Sequence, residues 1–324
     1  MKHGGVKWIK GEPESINDFS VNLNPLGTPD FVKELISEAV KREIYTYYPP
    51  SEDYREIKEL ITEVYDLSPE SVGVFNGASE AISLLPPCSV LEPNFSEYKR
   101  SKSYFARELN DAFEYTLPSS ESCVITSNPV NPTGSFIKDS DIMEFLERGG
   151  KLYLDESFID LSILPNNFKL AEEFENLTII SSFTKSLAIP GLRLGFTIGH
   201  SSKNLERLAP PWRINSIVYY VFSHVTAKEI RSFLSKTRCH IAELLNSFSS
   251  PFKWYKSVTN FVLLEFPVET SILNSVLRSY GYQIREPEGF MGLRKTHGRV
   301  TLSKNTSELL RVISHVLNSE KFYK

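Results

Sequence analysis

The sequence has only three cysteines in 324 residues, Cys88, Cys123 and Cys239. So small and widely spaced a set matches neither a disulfide framework nor a metal knuckle, so unpaired thiols and a reducing cytoplasm are expected. No apolar run reaches the length that a membrane-spanning helix needs. The opening Met1-Lys2-His3-Gly4-Gly5 leads to charged residues rather than to an apolar leader. Net charge is only −4, with no strong field of either sign, so neither nucleic acid nor an anionic membrane is expected as a partner. Internal repeats and low-complexity segments are missing as well, which excludes a solenoid.

What is present is ordinary globular material, 41% hydrophobic and 23% charged. A chain this long can bury one large core and a smaller one. The division expected is an N-terminal arm over 1–30, a large domain over 31–225 and a small α+β domain over 226–324.

The stretch that organises the rest is Ser182-Phe183-Thr184-Lys185, followed by Arg193 and Gly195. The apolar, β-branched run Thr178-Ile179-Ile180 leads into it as a strand. A lysine flanked by hydroxyls, with an arginine after it, suits an anionic cofactor bearing an aldehyde. The amine would form a Schiff base while hydroxyls and guanidinium hold a phosphate. Taken alone, the same residues describe a solvated strand end.

Three other segments change that balance. Ser71–Phe75 reads as a strand that turns at Asn76-Gly77-Ala78-Ser79 into a helix, leaving free backbone N–H groups that suit a phosphate. Ser122–Ser127 reads as a strand ending in Asn128-Pro129-Val130-Asn131-Pro132, where each proline pushes the preceding asparagine out of helical geometry. Lys151–Leu154 reads as a strand ending in Asp155, a carboxylate that is costly there unless a cation partners it. Alternation of strand and helix through 70–200 argues an α/β fold with a mostly parallel sheet and helices on both faces. Ligands collect at the carboxyl ends of such strands, where Gly77, Asn131, Asp155 and Lys185 all fall.

Elsewhere the pattern predicts a helix from Asp30, with Asp30 as its N-cap, and another over about 52–65. Pro93–Tyr98 is expected to be a loop that opens a helix, with Phe95 or Tyr98 free to stack on a planar ring. One long helical pattern runs past Trp212 to about Phe248. Asn22 and Asn24 share one face of the extended arm. Arg285 and Arg299 lie beside strand-like runs, where surface charge is the simpler reading.

Together, in this order, these segments resemble the pyridoxal-phosphate enzymes of aminotransferase fold type I. The marks are Asn76–Ala81, Asn128–Gly134, Asp155–Phe158, Ser182–Lys185 and Pro190–Gly195. Within them the sequence is similar to the branch of histidinol-phosphate aminotransferases and threonine-phosphate decarboxylases. His3-Gly4-Gly5, Asp18–Gly27 and Phe290–Leu293 before Arg299 look like the decarboxylases of the cobalamin pathway.

The resemblance implies pyridoxal 5'-phosphate bound through Lys185, with Asp155 holding the pyridinium proton. It implies Asn131 as a donor to the ring oxygen and Phe95 stacked on the ring. Ala78, Ser79, Ser182, Thr184 and Arg193 would hold the phosphate, joined by Tyr48 from a second subunit. His3, Asn22, Arg285 and Arg299 would bind a small phosphorylated or anionic amino-acid substrate. Phe158 stands where these aminotransferases usually carry a tyrosine, which weakens ordinary transamination. The activity expected is decarboxylation of L-threonine O-3-phosphate by a homodimer with shared active sites. The alternative is an aminotransferase for histidinol phosphate or an aromatic or acidic amino acid.

Overall fold

The computed structural model of the chain describes residues 3–319. At its centre lies a seven-stranded sheet in the spatial order Val72–Phe75, Gly195–Ile198, Leu177–Ser182, Lys151–Asp155, Cys123–Ser127, Cys88–Glu92, Arg100–Phe105. Gly195–Ile198 runs antiparallel to both neighbours, and the other pairings are parallel. Along the central strands Val124, Leu152, Leu154 and Ile179 enter one apolar cluster, while Ile125, Tyr153 and Ile180 enter another. That is the two-residue period of strands covered on both faces. Helices Arg55–Tyr65, Asp139–Glu147 and Ser216–His224 supply Ile61, Phe145 and Phe222 to the first cluster. Ala78–Leu84 and Ser202–Leu208 supply Ile82 and Leu205 to the second.

A second core lies towards the C-terminus. Lys253–Trp254, Phe261–Glu265 and His297–Thr301 form an antiparallel sheet. Helices Thr270–Ser279 and Thr306–Leu317 bury Leu273, Leu277, Leu309 and Ile313 against it. The arm belongs to this core too: Asn17–Phe19 pairs in parallel with Tyr282–Ile284, and Phe19 is buried in the same cluster.

An ion network ties the short hairpin Arg107–Glu108/Phe113–Glu114 to the C-terminal sheet. Arg294 reaches Glu108 Oε2 at 2.6 Å and Glu265 Oε1 at 2.9 Å, and Lys253 approaches both carboxylates at 3.3 Å. Glu108, Glu265 and His297 are close enough to surround a metal ion. With two cations already among them, the carboxylates are neutralised by the protein itself.

Several local expectations need correction. Cys88 and Cys123 form a disulfide with their Cα atoms 5.2 Å apart, because strands 35 residues apart in the chain are neighbours in the sheet. Only Cys239 is a free thiol, so the cysteine pattern no longer argues for a reducing compartment. Pro93–Tyr98 opens a strand, Arg100–Phe105, and not a helix. Arg100 stabilises this tight connection by donating to the carbonyls of Phe95, Ser96 and Tyr98. The long helical pattern is two helices, Ser216–His224 and Ala227–Ser247. Thr226 starts the second with a reciprocal capping box to Glu229. Finally, Pro29 occupies the cap of Asp30–Lys41, which moves Asp30 into the first turn.

Candidate active site

Four strand ends converge on one cavity. Its lining includes Ala78, Phe95, Asn131, Asp155 and Lys185 from the large sheet, and Asn22, Arg285 and Arg299 from the arm and C-terminal sheet. Lys185 lies in a short helix, Phe183–Ser186, that begins where the strand Leu177–Ser182 ends. Ser182 caps that helix by accepting from the Thr184 amide at 3.1 Å, and its hydroxyl donates to the Leu194 carbonyl at 2.8 Å. Thr184 Oγ1 accepts from the Leu194 amide at 3.1 Å. Both hydroxyls therefore hold the lysine loop in shape, and neither lines the cavity.

The arm holds the same loop from the other side. Asn24 accepts no role from its turn alone: its amide nitrogen donates to the Ser186 carbonyl at 2.7 Å and to Thr237 Oγ1 at 2.8 Å. Its backbone N–H donates to the Lys185 carbonyl at 3.1 Å. The Lys185 amine is pushed down to about 8, first by burial and then by the guanidiniums of Arg299 and Arg193. A free amine is thus accessible near neutrality, as a nucleophile or base requires.

Asp155 is buried at the end of Lys151–Asp155. Burial raises its pKa, opposed by donors from Ser157 and Tyr98. The Ser157 amide donates to Oδ1 at 2.9 Å and the Tyr98 hydroxyl to Oδ2 at 2.8 Å. Asn131 is held by its amide donating to Ser127 Oγ at 3.1 Å, and its side-chain oxygen accepts from Arg299. Phe158 carries no hydroxyl; it lines the cavity and packs edge-on against Phe261, with centroids 5.3 Å apart.

Across the cavity stand the arginines. Arg299 also donates to the Ser20 carbonyl at 2.7 Å, and burial, then Arg285, lowers its pKa. Arg285 is likewise lowered by burial and donates to the Glu288 carbonyl at 2.9 Å. The Phe290 ring lies against both guanidiniums, at 4.9 Å from Arg285 and 5.9 Å from Arg299. Asn22, oriented to donate to Thr301 Oγ1, turns its oxygen to within 3.2 Å of Arg299 Nη1. At the rim His3 Nε2 sits 3.3 Å from Glu97. Among the described residues, Arg193, Arg285 and Arg299 form no ion pair with a carboxylate.

Arg193 lies behind the turn at Gly77. Gly77 has φ 75°, and a Cβ there would come within 3.0 Å of Arg193 Nη2. Gly195 is equally constrained, since its Cβ would lie 2.3 Å from the Ala78 amide. The turn carrying Ala78 and Ser79 can therefore approach Arg193 only because both positions lack side chains. Tyr48 is elsewhere: it is 83% exposed and packs on Trp212, with ring centroids 5.2 Å apart. The sequence motifs do not single out Ser127 and Ser157. Tyr98, expected only as a stacking ring, donates instead to Asp155, and Asn24, expected only to share a face of the arm with Asn22, holds the lysine loop.

The cavity tests well against pyridoxal phosphate. It offers a lysine with a lowered pKa, a buried carboxylate for a ring nitrogen, an aromatic face and the turn at Ala78 and Ser79, with Arg193 packed behind that turn and outside the lining.

Comparison with known proteins places this geometry. An adenosylcobalamin biosynthesis bifunctional protein of Leptospira interrogans is 27% identical over 93% of this chain, which spans 39% of that longer protein. A protein of Caldanaerobacter subterraneus whose name proposes threonine-phosphate decarboxylase activity is 28% identical, covering 89% of this chain and 86% of its own. The crystal structure of a histidinol-phosphate aminotransferase from Clostridium acetobutylicum superposes with a TM-score of 0.79 at 24% identity, covering 94% and 99% of the two chains. The family model for aminotransferase class I and II matches residues 14–316. This chain is a pyridoxal-phosphate-dependent enzyme of the aminotransferase class I and II family.

Proposed function

We propose that the enzyme decarboxylates L-threonine O-3-phosphate. The observation that carries this reading is the pair Arg285 and Arg299, 5% and 7% exposed, facing the cavity without carboxylate partners among the described residues. Two buried, unpaired guanidiniums are costly unless a ligand brings two anionic groups. L-Threonine O-3-phosphate carries a carboxylate and a phosphate. Histidinol phosphate carries only the phosphate and would leave one guanidinium without a partner; an acidic amino acid would satisfy both, so the arginine pair argues against histidinol phosphate alone. The name of the Caldanaerobacter subterraneus relative adds support in the same direction.

When bound through Lys185, the cofactor supplies an electron sink that accepts the electron pair of whichever Cα bond stands perpendicular to its ring. The protein's part is to choose that bond. Arg299 would hold the carboxylate, with Arg285, His3 and Asn22 holding the phosphate or the second carboxylate oxygen. Two fixed cationic points restrict rotation about Cα and can set the carboxylate out of the ring plane. Asp155 would keep a proton on the ring nitrogen. Asn131 would donate to the ring oxygen with its Nδ2, since its Oδ1 is taken by Arg299. Phe95 would cover the ring face, and Arg193, Ala78 and Ser79 would hold the cofactor phosphate. Lys185 would return a proton to Cα after CO2 leaves.

A homodimer with shared sites completes this reading. Tyr45, Tyr47, Tyr48 and Trp212 are all at least half exposed on one chain. A second copy would cover them and bring Tyr48 to the phosphate of the neighbouring site.

Incubation of the holoenzyme with L-threonine O-3-phosphate tests the proposal. Release of CO2 and an amino-alcohol phosphate is expected. Transfer of the amino group to 2-oxoglutarate without CO2 contradicts it.

A further inference from the structure

We propose that Tyr98 is a positioning residue: its buried hydroxyl donates to Asp155, keeping that carboxylate ionised and aimed into the cofactor cavity. The inference rests on reading Asp155 as the partner of the cofactor's ring nitrogen.

Asp155 has two oxygens to satisfy in a place without bulk water. Oδ1 is served locally by the Ser157 amide, two residues on in the chain. Oδ2 is served by Tyr98, 57 residues away, at 2.8 Å. Remove that donor and the buried carboxylate loses one of the hydrogen bonds that stabilise its ionised form, which favours the protonated acid. A neutral carboxylic acid cannot hold a proton on a ring nitrogen as a carboxylate does. It is also free to turn its acidic hydrogen elsewhere.

Tyr98 is suited to donate and not to exchange the proton. Its ring is 3% exposed, and burial followed by the charge of Asp155 raises its own pKa well above the usual phenol range. The other charged groups facing the pair are Lys185 on the carboxylate's side and Arg100 on the phenol's side.

The loop that carries Tyr98 is fixed from within. Arg100 donates to the carbonyls of Tyr98 at 2.6 Å, Ser96 at 2.8 Å and Phe95 at 2.8 Å, and its Nε reaches Glu92. Phe95 and Tyr98 pack edge to face with centroids 5.6 Å apart. One short connection therefore presents an aromatic face to the cavity and an oriented donor to the carboxylate beneath it. This explains why the tight connection between Cys88–Glu92 and Arg100–Phe105 is bound so closely by one guanidinium.

The test uses holoenzyme saturated with pyridoxal phosphate. Tyr98→Phe removes one oxygen and leaves the packed ring, so the melting temperature should hold within a few degrees. A cationic ring nitrogen disfavours a second proton on the cofactor's link to Lys185. Loosening the Asp155 contact should therefore raise the pH at which the cofactor's visible band titrates. The expected shift is about half a unit or more, roughly threefold in proton affinity, with kcat down about tenfold and KM within about twofold. Asp155→Asn should shift the band further, and Tyr98→Phe should add little in that background.

An unmoved band in Tyr98→Phe, while Asp155→Asn moves it, overturns the role of Tyr98. Equal effects of Tyr98→Phe in both backgrounds overturn it as well. If Asp155→Asn itself leaves the band unmoved, the reading of Asp155 fails and this inference fails with it.

Discussion

Arg299 donates to the side-chain oxygen of Asn131, 168 residues away in the chain, and the two residues join the C-terminal sheet's side of the cavity to the large sheet's side. The same guanidinium donates to the Ser20 carbonyl of the arm. Replacing it with lysine keeps the charge but loses the planar fork that serves both partners. Arg299→Lys is expected to lower kcat/KM for the substrate by about a hundredfold, in line with about 3 kcal/mol for charge-assisted bonds. Steady-state kinetics check this, and a loss below about threefold contradicts it.

The lysine loop depends on the arm through Asn24. Asn24→Ala strands the Ser186 carbonyl and the Thr237 hydroxyl, both buried. Stability should fall by about 1–3 kcal/mol. Denaturant unfolding measures it, and because Lys185 sits one residue from the broken contact, cofactor retention should weaken in parallel.

The lowered pKa of Lys185 predicts how cofactor-free protein captures pyridoxal phosphate. The neutral amine reacts, so the capture rate should rise with pH up to about 8 and level off above it. Because Arg193 is one of the charges holding the value down, Arg193→Gln should move the midpoint upward. Stopped-flow appearance of the visible band at a series of pH values reads both. A midpoint near the ordinary lysine value in the unmodified protein would contradict the burial argument.

Much of this arrangement was legible in the chain. Asp155, Asn131 and Lys185 each follow a short apolar run, and a polar residue at the end of such a run is a local signal that survives without coordinates. The contact of Tyr98 with Asp155 was not legible, because it depends on which strands are neighbours. The disulfide between Cys88 and Cys123 was hidden for the same reason. The break between Ser216–His224 and Ala227–Ser247 did have a signal, Thr226 three residues before Glu229. It was masked by Val225, which continues the apolar pattern across the junction. Pro93–Tyr98 reads in the sequence as a loop opening a helix, yet the side chain of Arg100 stabilises an extended route by satisfying the loop carbonyls.

The network around Arg294 predicts a pH-dependent contribution to stability. Arg294 bonds, followed by the Tyr255 hydroxyl, hold Glu108 down at about 2 against the opposing effect of burial. A carboxylate with a depressed folded pKa stabilises above the unfolded value near 4.3 and loses that effect as pH falls towards 2. Glu108→Gln should therefore cost about 1–2 kcal/mol at pH 7. The gap from the unmodified protein should stay constant from pH 8 to about 5 and narrow below about 4.5. Thermal unfolding across that range tests the sign.

The shared-site reading predicts complementation. Mixing Tyr48→Ala with Lys185→Ala subunits gives mixed dimers in which one site carries both defects and the other carries neither. With free exchange, half the dimers are mixed, so about a quarter of all sites should be intact. Recovery of about a quarter of the unmodified activity is expected, and no recovery despite demonstrated exchange contradicts the shared site.

The most direct measurement counts CO2 released per active site from L-threonine O-3-phosphate with no oxo-acid acceptor present. Decarboxylation regenerates the cofactor in its aldehyde form at every turnover. The account predicts many CO2 molecules per site, with the visible band retained throughout. Loss of the band after one equivalent of amino group is transferred, with no CO2, would contradict it.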